Sequence, residues 1–204
     1  PDGSIVSWGM VGGNVEQTTA PTDSGYTAIA SGGSHSLALR PDGSIVAFGA
    51  TDNTVRAIDA KSGKIVFFQN AHADWAFDTC FSKDGSHIVS VGRDMTTKLY
   101  KVETQRFIDN VTSITPGALK GGLTSVVQVP GQDQILVGGS DGAPKIYRMF
   151  REKARKIGDD FNLIRAFEPL HGRIYSLDIT TNAQWIAAGS SLDGKGQIRV
   201  YPLG

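Results

Sequence analysis

Apolar residues in this chain come in short runs, and the runs are punctuated by glycine, aspartate, asparagine, proline and serine. From residue 54 onward the runs are TVRAID, KIVFF, AFDTCF, HIVSVG, TKLYKV, RFIDNV, TSVVQV, QILVGG, PKIYRM, NLIRAF, RIYSLDI, WIAAGS and QIRVY. They are rich in β-branched and aromatic residues, and they either alternate or stay apolar throughout, so each predicts a β-strand. Upstream, SIVAFG, His35–Arg40 and Tyr26–Ser31 have the same character, SIVSWG opens the chain, and Val15–Thr19 predicts a poor edge strand. The total is about eighteen strands and no helix of useful length.

The punctuation is itself periodic. Asp42-Gly43 recurs as Asp84-Gly85, and Asp52 recurs as Asp94, each forty-two residues on; Asp141 follows after forty-seven and Asp193 after fifty-two. Strands of even length repeating every 40–50 residues predict an all-β fold of four-stranded antiparallel blades, a β-propeller. Pro116–Gly122 and Arg151–Asp160 (REKARKIGDD) read as loop insertions, the latter as a solvated hairpin loop. The inward faces predict a core of Ile45, Val46, Val55, Val66, Phe77, Ile88, Val89, Leu99, Val126, Val127, Ile135, Leu136, Ile146, Ile174, Leu177, Ile186 and Val200. Eighteen strands make four and a half blades. Five blades with one thin blade is the first expectation. Four blades, or a half-blade completed by a dimer partner, are the alternatives. QIRVY followed by PDGSIVSWG imitates HSLALR followed by PDGSIVAFG, so the two ends are expected to share a blade, with Ile5–Gly9 against Gln197–Tyr201.

A second repeat overlies the first. Pro1–Gly9 (PDGSIVSWG) and Pro41–Gly49 (PDGSIVAFG) agree at seven of nine positions, and nothing after residue 50 continues that style. The stretch Pro41–Asp59 is therefore a seam. With IASGGSHSLAL at Ile29–Leu39, residues 1–50 resemble the repeats of the regulator-of-chromosome-condensation family. Residues 51–204 resemble WD repeats, in which a His near a Gly opens the unit, an Asp sits between the second and third strands, and Trp-Asp closes the third. The matching positions are His72, Asp94 and Tyr100; then Gly122, Asp141 and Tyr147; then His171, Asp193 and Tyr201. In the seam unit they are Asp52, Ile58 and Asp59. No unit keeps the full His–Asp–Trp set. Both resemblances imply four-stranded blades, and together they imply a single hybrid propeller over 1–204. A recombined or engineered chimera is the first expectation for its origin, and a natural hybrid is the alternative. The start inside a Pro-Asp-Gly turn agrees with the former.

Composition adds exclusions. Twenty basic residues balance twenty acidic ones, which leaves no electrostatic footprint for nucleic acid or an anionic membrane. No apolar run reaches the ~20 residues of a membrane helix, and the N-terminus has no signal-peptide layout, so a soluble protein is expected. The single cysteine, Cys80, excludes a disulfide framework and sits in an apolar setting that predicts burial. No cofactor or metal is expected. The histidines (His35, His72, His87 and His171) show no metal-ligand spacing, and Asp42, Asp84, Asp94, Asp141 and Asp193 lack the D-x-D-x-D-G pattern of a calcium loop. His87 follows a turn and is expected to be exposed. NVT at Asn110–Thr112 fits a glycosylation acceptor only in a secreted protein. No catalytic set is visible, so no enzyme is expected. Two functional expectations follow: a scaffold whose chief property is folding, or a protein-interaction platform. For the platform the contact candidates are the aromatics Trp8, Trp75 and Trp185, because large aromatic side chains dominate protein interfaces. Self-association is a variant of it.

Overall fold

In a computed structural model, residues 9–11, 14–16, 37–40, 42–114, 119–156 and 158–204 are described. The chain forms two units, Pro1–Ala30 and Ser31–Gly204. In the first, β1 (Gly9–Val11) pairs with β2 (Asn14–Glu16) as an antiparallel hairpin. Of the edge strand expected at Val15–Thr19, Val15 and Glu16 are in β2, which begins one residue earlier, and the rest lies outside the described residues. Tyr26–Ser31, Trp8, His35 and the expected pairing of Ile5–Gly9 with the C-terminal strand lie outside the described residues, wholly or in part.

The second unit is a succession of antiparallel β-propeller blades. The first comprises β3 (Leu37–Leu39), β4 (Ile45–Gly49), β5 (Val55–Asp59) and β6 (Ile65–Gln69). The second comprises β7 (Ala76–Phe81), β8 (His87–Gly92), β9 (Thr97–Lys101) and β10 (Arg106–Asn110). The third comprises β11 (Leu123–Gln128), β12 (Gln134–Gly139), β13 (Lys145–Arg148) and β14 (Leu163–Ala166). The fourth has three strands, β15 (Arg173–Ile179), β16 (Trp185–Leu192) and β17 (Lys195–Pro202). Within each blade the strands are neighbours in chain order, and no helix occurs among the described residues. At the seam, β4 and β5 are paired directly from Ile45↔Asp59 to Gly49↔Val55.

Each blade starts with the same turn. Between the first two strands the amide of Arg40, Ser82, Val129 or Thr180 donates to the carbonyl of Ile45, His87, Gln134 or Trp185. A left-handed residue makes the reversal: Gly43, Gly85, Gly131 and, in the fourth blade, Ala183 at φ 54°. Only glycine takes that conformation without a steric cost. In the first two blades an aspartate locks the turn. Asp42 Oδ1 accepts from the Ser44 amide and hydroxyl, and Asp84 Oδ1 accepts from Ser86 and Ser82. Hydrogen bonds from Ser82 and Ser86 hold the Asp84 carboxyl well below the ordinary range.

The core lies between blades. Ala47, Val55, Ala57 and Phe67 of the first blade meet Phe81, Ile88 and Tyr100 of the second. Val89, Val91 and Leu99 meet Val126, Ile135 and Tyr147 of the third. Leu136 and Ile146 meet Ile174, Leu177, Ile186 and Tyr201 of the fourth. The second strand of the second and third blades is covered on both faces, which is why it reads as a continuous apolar run. Burial of apolar area at ~25 cal/mol per Å² is the main stabilising term. Cys80 is buried within this core and its thiol is pushed up by burial.

Five of the expected core residues are not fully buried. In the bulge where β6 crosses β5, Phe67 takes the interior position and Val66 is left 37% exposed. Ile45, Phe77 and Val127 are half-buried. Val200 is 57% exposed. His87 is half-buried, edge-on to Phe150 with ring centroids 5.0 Å apart. The 151–160 segment is a loop as expected, but its basic residues are not simply solvated. The Arg151 side chain is only 10% exposed and pairs with Asp109 at 3.1 Å and Asp159 at 3.2 Å. Arg155 pairs with Asp109 at 3.0 Å.

Candidate functional site

The most completely built polar site is in the second blade. The loop from β6 to β7 delivers His72, the turn between β8 and β9 delivers Asp94 and Thr96, and β8 delivers Ser90. The loop is anchored to the preceding blade, where the Asn53 carbonyl accepts from the Ala71 and His72 amides. The His72 side chain is fully buried and that of Asp94 nearly so. His72 Nδ1 lies 2.9 Å from Asp94 Oδ1, and Nε2 lies 2.8 Å from Ser90 Oγ. A carboxylate only accepts, so Nδ1 donates to Asp94, while Nε2 and the Ser90 hydroxyl share the second hydrogen bond. The Ala73 amide donates to Asp94 Oδ2 at 2.9 Å, and the Thr96 hydroxyl donates to Oδ1 at 2.8 Å. A methyl group at Gly92 would lie 2.7 Å from the imidazole, so glycine there is what lets the ring reach the strand.

Burial alone would raise the Asp94 pKa; the hydrogen bonds from His72, Ala73 and Thr96 outweigh it and bring the carboxyl down to about 2. Tyr100 completes the site from β9. Its hydroxyl donates to the Ala71 carbonyl at 3.4 Å, its ring meets Phe67 and Phe107 edge-on, and burial pushes its pKa up to about 12. With both ring nitrogens hydrogen-bonded and the side chain buried, the arrangement holds a loop in place.

The other two unit openings are built differently. In the third blade Asp141 accepts from the Ala143 amide at 3.1 Å and forms an ion pair with Lys145. Tyr147, fully buried, donates to Asp160 Oδ2 at 3.3 Å. In the fourth blade the His171 side chain is exposed; its carbonyl accepts from Ser190 Oγ at 2.9 Å, and its amide donates to Gln197. Asp193 is exposed in the β16–β17 hairpin, while the Tyr201 hydroxyl donates to the Glu168 carbonyl at 2.7 Å. In the seam unit Asp52 accepts from Thr54 and pairs with Arg56, and Ile58 is buried.

Beside the His72 site is an exposed aromatic. Trp75 is 42% exposed. The Arg93 guanidinium lies 5.4 Å from its ring centroid and 3.5 Å from the Asp74 carboxylate, and Phe77 meets the indole edge-on. Trp75 follows three residues after His72, and Arg93 immediately precedes Asp94, so the buried site fixes both ends of the exposed stack. Arg93, Asp74, Ser90 and Thr96 are not singled out by the sequence; an Arg next to the turn aspartate is the one signal that was available. Trp185 is 47% exposed in the fourth blade, away from this group in the chain. Among the described residues no cluster of three or more His, Cys, Asp or Glu side chains is gathered as for a metal, and no helix is long and apolar enough to cross a membrane.

Residues 63–101 match the WD domain, G-beta repeat family. That segment runs from the strand before His72 through Tyr100 and contains the whole polar site. The chain is also 35% identical over 74 residues to nuclear distribution protein PAC1-2 of Uncinocarpus reesii (strain UAMH 1704), a match covering 36% of this chain and 16% of that protein. The likeness thus spans about a sixth of the relative's length, and it supports a WD-repeat blade here.

Proposed function

We propose that this protein is a protein–protein interaction platform without catalytic activity of its own, and that the Trp75–Arg93–Asp74 group is a contact surface. The observation that carries the reading is the pairing of a rigid, fully hydrogen-bonded loop with an exposed tryptophan and a charged pair at its tip. Side chains held in advance lose little entropy on binding, and Trp and Arg are the residue types that most often dominate interface energetics. The WD-repeat likeness of residues 63–101 supports it. The test is affinity capture followed by titration of the purified partner. A specific partner with sub-micromolar affinity is expected, and the Trp75→Ala and Arg93→Glu variants should each weaken it at least tenfold. Equal binding by both variants, or no specific partner, overturns the assignment.

A reading of origin goes with it: residues 1–50 and 51–204 come from two propeller families joined at Pro41–Asp59. It is supported by the direct pairing of β4 with β5 and by the shared first turn, in which Asp42-Gly43-Ser44 and Asp84-Gly85-Ser86 form the same hydrogen bonds. Either family's strand then serves in the first blade. Replacing Asp42–Phe48 by the equivalent Asp84–Ser90 segment should preserve cooperative unfolding; its loss would argue that the two styles are not interchangeable.

A further inference from the structure

One corner of the contact between the second and third blades is made by charged side chains. Residues 151–156 follow β13 of the third blade and reach back to the end of β10 in the second. There the Asp109 carboxylate is held by two arginines. Its Oδ2 accepts from Arg151 Nε at 3.1 Å, and its Oδ1 accepts from Arg155 Nη2 at 3.0 Å. Arg155 Nη2 also donates to the Asn110 carbonyl, and Arg151 Nη1 pairs with Asp159 at 3.2 Å within its own loop. No backbone hydrogen bond joins residues 151–156 to the second blade among the described residues. The closed arrangement is also incompletely satisfied: Arg151 Nη2 and Arg155 Nη1 are buried and have no hydrogen-bonding acceptor. Two such nitrogens disfavour closure, and both regain water when the segment lifts. The apolar contact between the two blades runs elsewhere, through Val89, Val91 and Leu99 against Val126, Ile135 and Tyr147.

We propose that residues 151–156 form a strap that opens and closes on the second blade while the blades stay folded, with Asp109 as its latch. Asp109 is the one second-blade side chain that pairs with either arginine among the described residues, so loss of its charge releases both. A segment tied by side-chain charges, with no backbone ladder to its neighbour, opens at a lower free energy than the sheets it connects. Opening separates fixed charges that salt then screens, so the open fraction rises with ionic strength. In the open state Asp109 and the Asn110 carbonyl at the end of β10 are released, and the Arg151 and Arg155 side chains are free to be taken up by another molecule.

Limited digestion of the whole chain with an arginine-specific protease tests this, because a latched arginine cannot enter the protease's specificity pocket and the cutting rate follows the open population. Cuts are located by mass spectrometry, and rates are normalised to a short peptide of the same sequence. Asp109→Asn should speed cleavage after Arg151 and Arg155 about tenfold or more, while cleavage after Arg148 in β13, which needs the blade itself to open, stays unchanged. Arg155→Gln, which keeps the latch and removes one hold, should speed cleavage after Arg151 about threefold. Raising NaCl from about 0.05 to about 0.5 M should speed the wild-type cuts about threefold and leave those of Asp109→Asn as they are. Unchanged cleavage after Arg151 in both variants overturns the proposal. So does a rise in cleavage after Arg148 that keeps pace with it, which would show the blade unfolding as one unit. Should Asp109→Asn fail to fold, the Arg155→Gln rate and the wild-type salt response decide, and the absence of either effect overturns the strap.

Discussion

The second and fourth blades carry the same letters at the same spacing and make different things of them. His72 and Asp94 are twenty-two residues apart, as are His171 and Asp193. In the second blade the pair is buried and bonded, with Ser90 on the far side of the ring. In the fourth blade both are exposed. Two local features account for this. The fourth blade has one more residue between the second-strand isoleucine and the aspartate, Ile186 to Asp193 against Ile88 to Asp94. That extra residue lets β16 and β17 pair out to Leu192↔Lys195, leaving Asp193-Gly194 as a two-residue hairpin loop with both φ angles positive, 50° and 76°. Such a loop matches the strand twist and closes the hairpin unaided. It needs no aspartate as a lock, and Asp193 points to no buried partner. The hydroxyl is missing too, since Ala188 stands where Ser90 does. A motif spacing is thus a necessary condition, and the hairpin that carries it decides whether the network forms.

The sharpest way to break this comparison is to remove the histidines one at a time. His72→Ala leaves a cavity and takes one hydrogen bond from a buried carboxylate and should cost about 3 kcal/mol in urea unfolding; His171→Ala should cost no more than about 0.5 kcal/mol. Equal costs would show the two sites to be equivalent.

Acid comes next. The folded pKa of Asp94 is depressed, so its contribution is complete above the ordinary carboxylate value, 3.8, and is lost as pH falls toward about 2. A depression of this size corresponds to about 2 kcal/mol. Unfolding free energies between about pH 5 and pH 2 should lose that component in Asp94→Asn and keep it in Asp193→Asn.

Ser90→Ala removes one hydrogen bond to a buried imidazole and should cost about 1.5 kcal/mol. Introducing the hydroxyl by Ala188→Ser should bring no gain, since His171 is not there to receive it. The smallest effect belongs to the turn. Met95 holds φ 63°, a conformation that costs a non-glycine residue roughly 1 kcal/mol. Met95→Gly should therefore raise the urea midpoint by an amount worth about 0.5–1 kcal/mol, whereas Gly194→Ala in the fourth blade should lower it by a similar amount.

The fold is largely legible in the sequence. Every run from SIVAFG to QIRVY became a strand, because a blade strand between two neighbours must be apolar on both faces and its turns must carry glycine, aspartate or asparagine. The buried members of the core were legible for the same reason. The errors came from register. Val66 yields its place to Phe67 because of a bulge, and a bulge leaves no pattern when IVFF is apolar throughout. Arg151 and Arg155 looked like loop charges because their carboxylate partner, Asp109, lies more than forty residues away. Trp75 could be named as a contact candidate, but its stacking with Arg93 depends on bringing a loop and a turn together.

Composition and period, then, determined the all-β blade, its strand boundaries, its turn residues and the positions at which a polar network could form. These depend on nearest neighbours in the chain and on an alternation that the peptide backbone imposes. Tertiary structure decided which of those positions close into a network and which charges are internal. The network depends on how a loop and a hairpin some twenty residues apart meet within one blade, and the internal charges depend on a carboxylate more than forty residues distant.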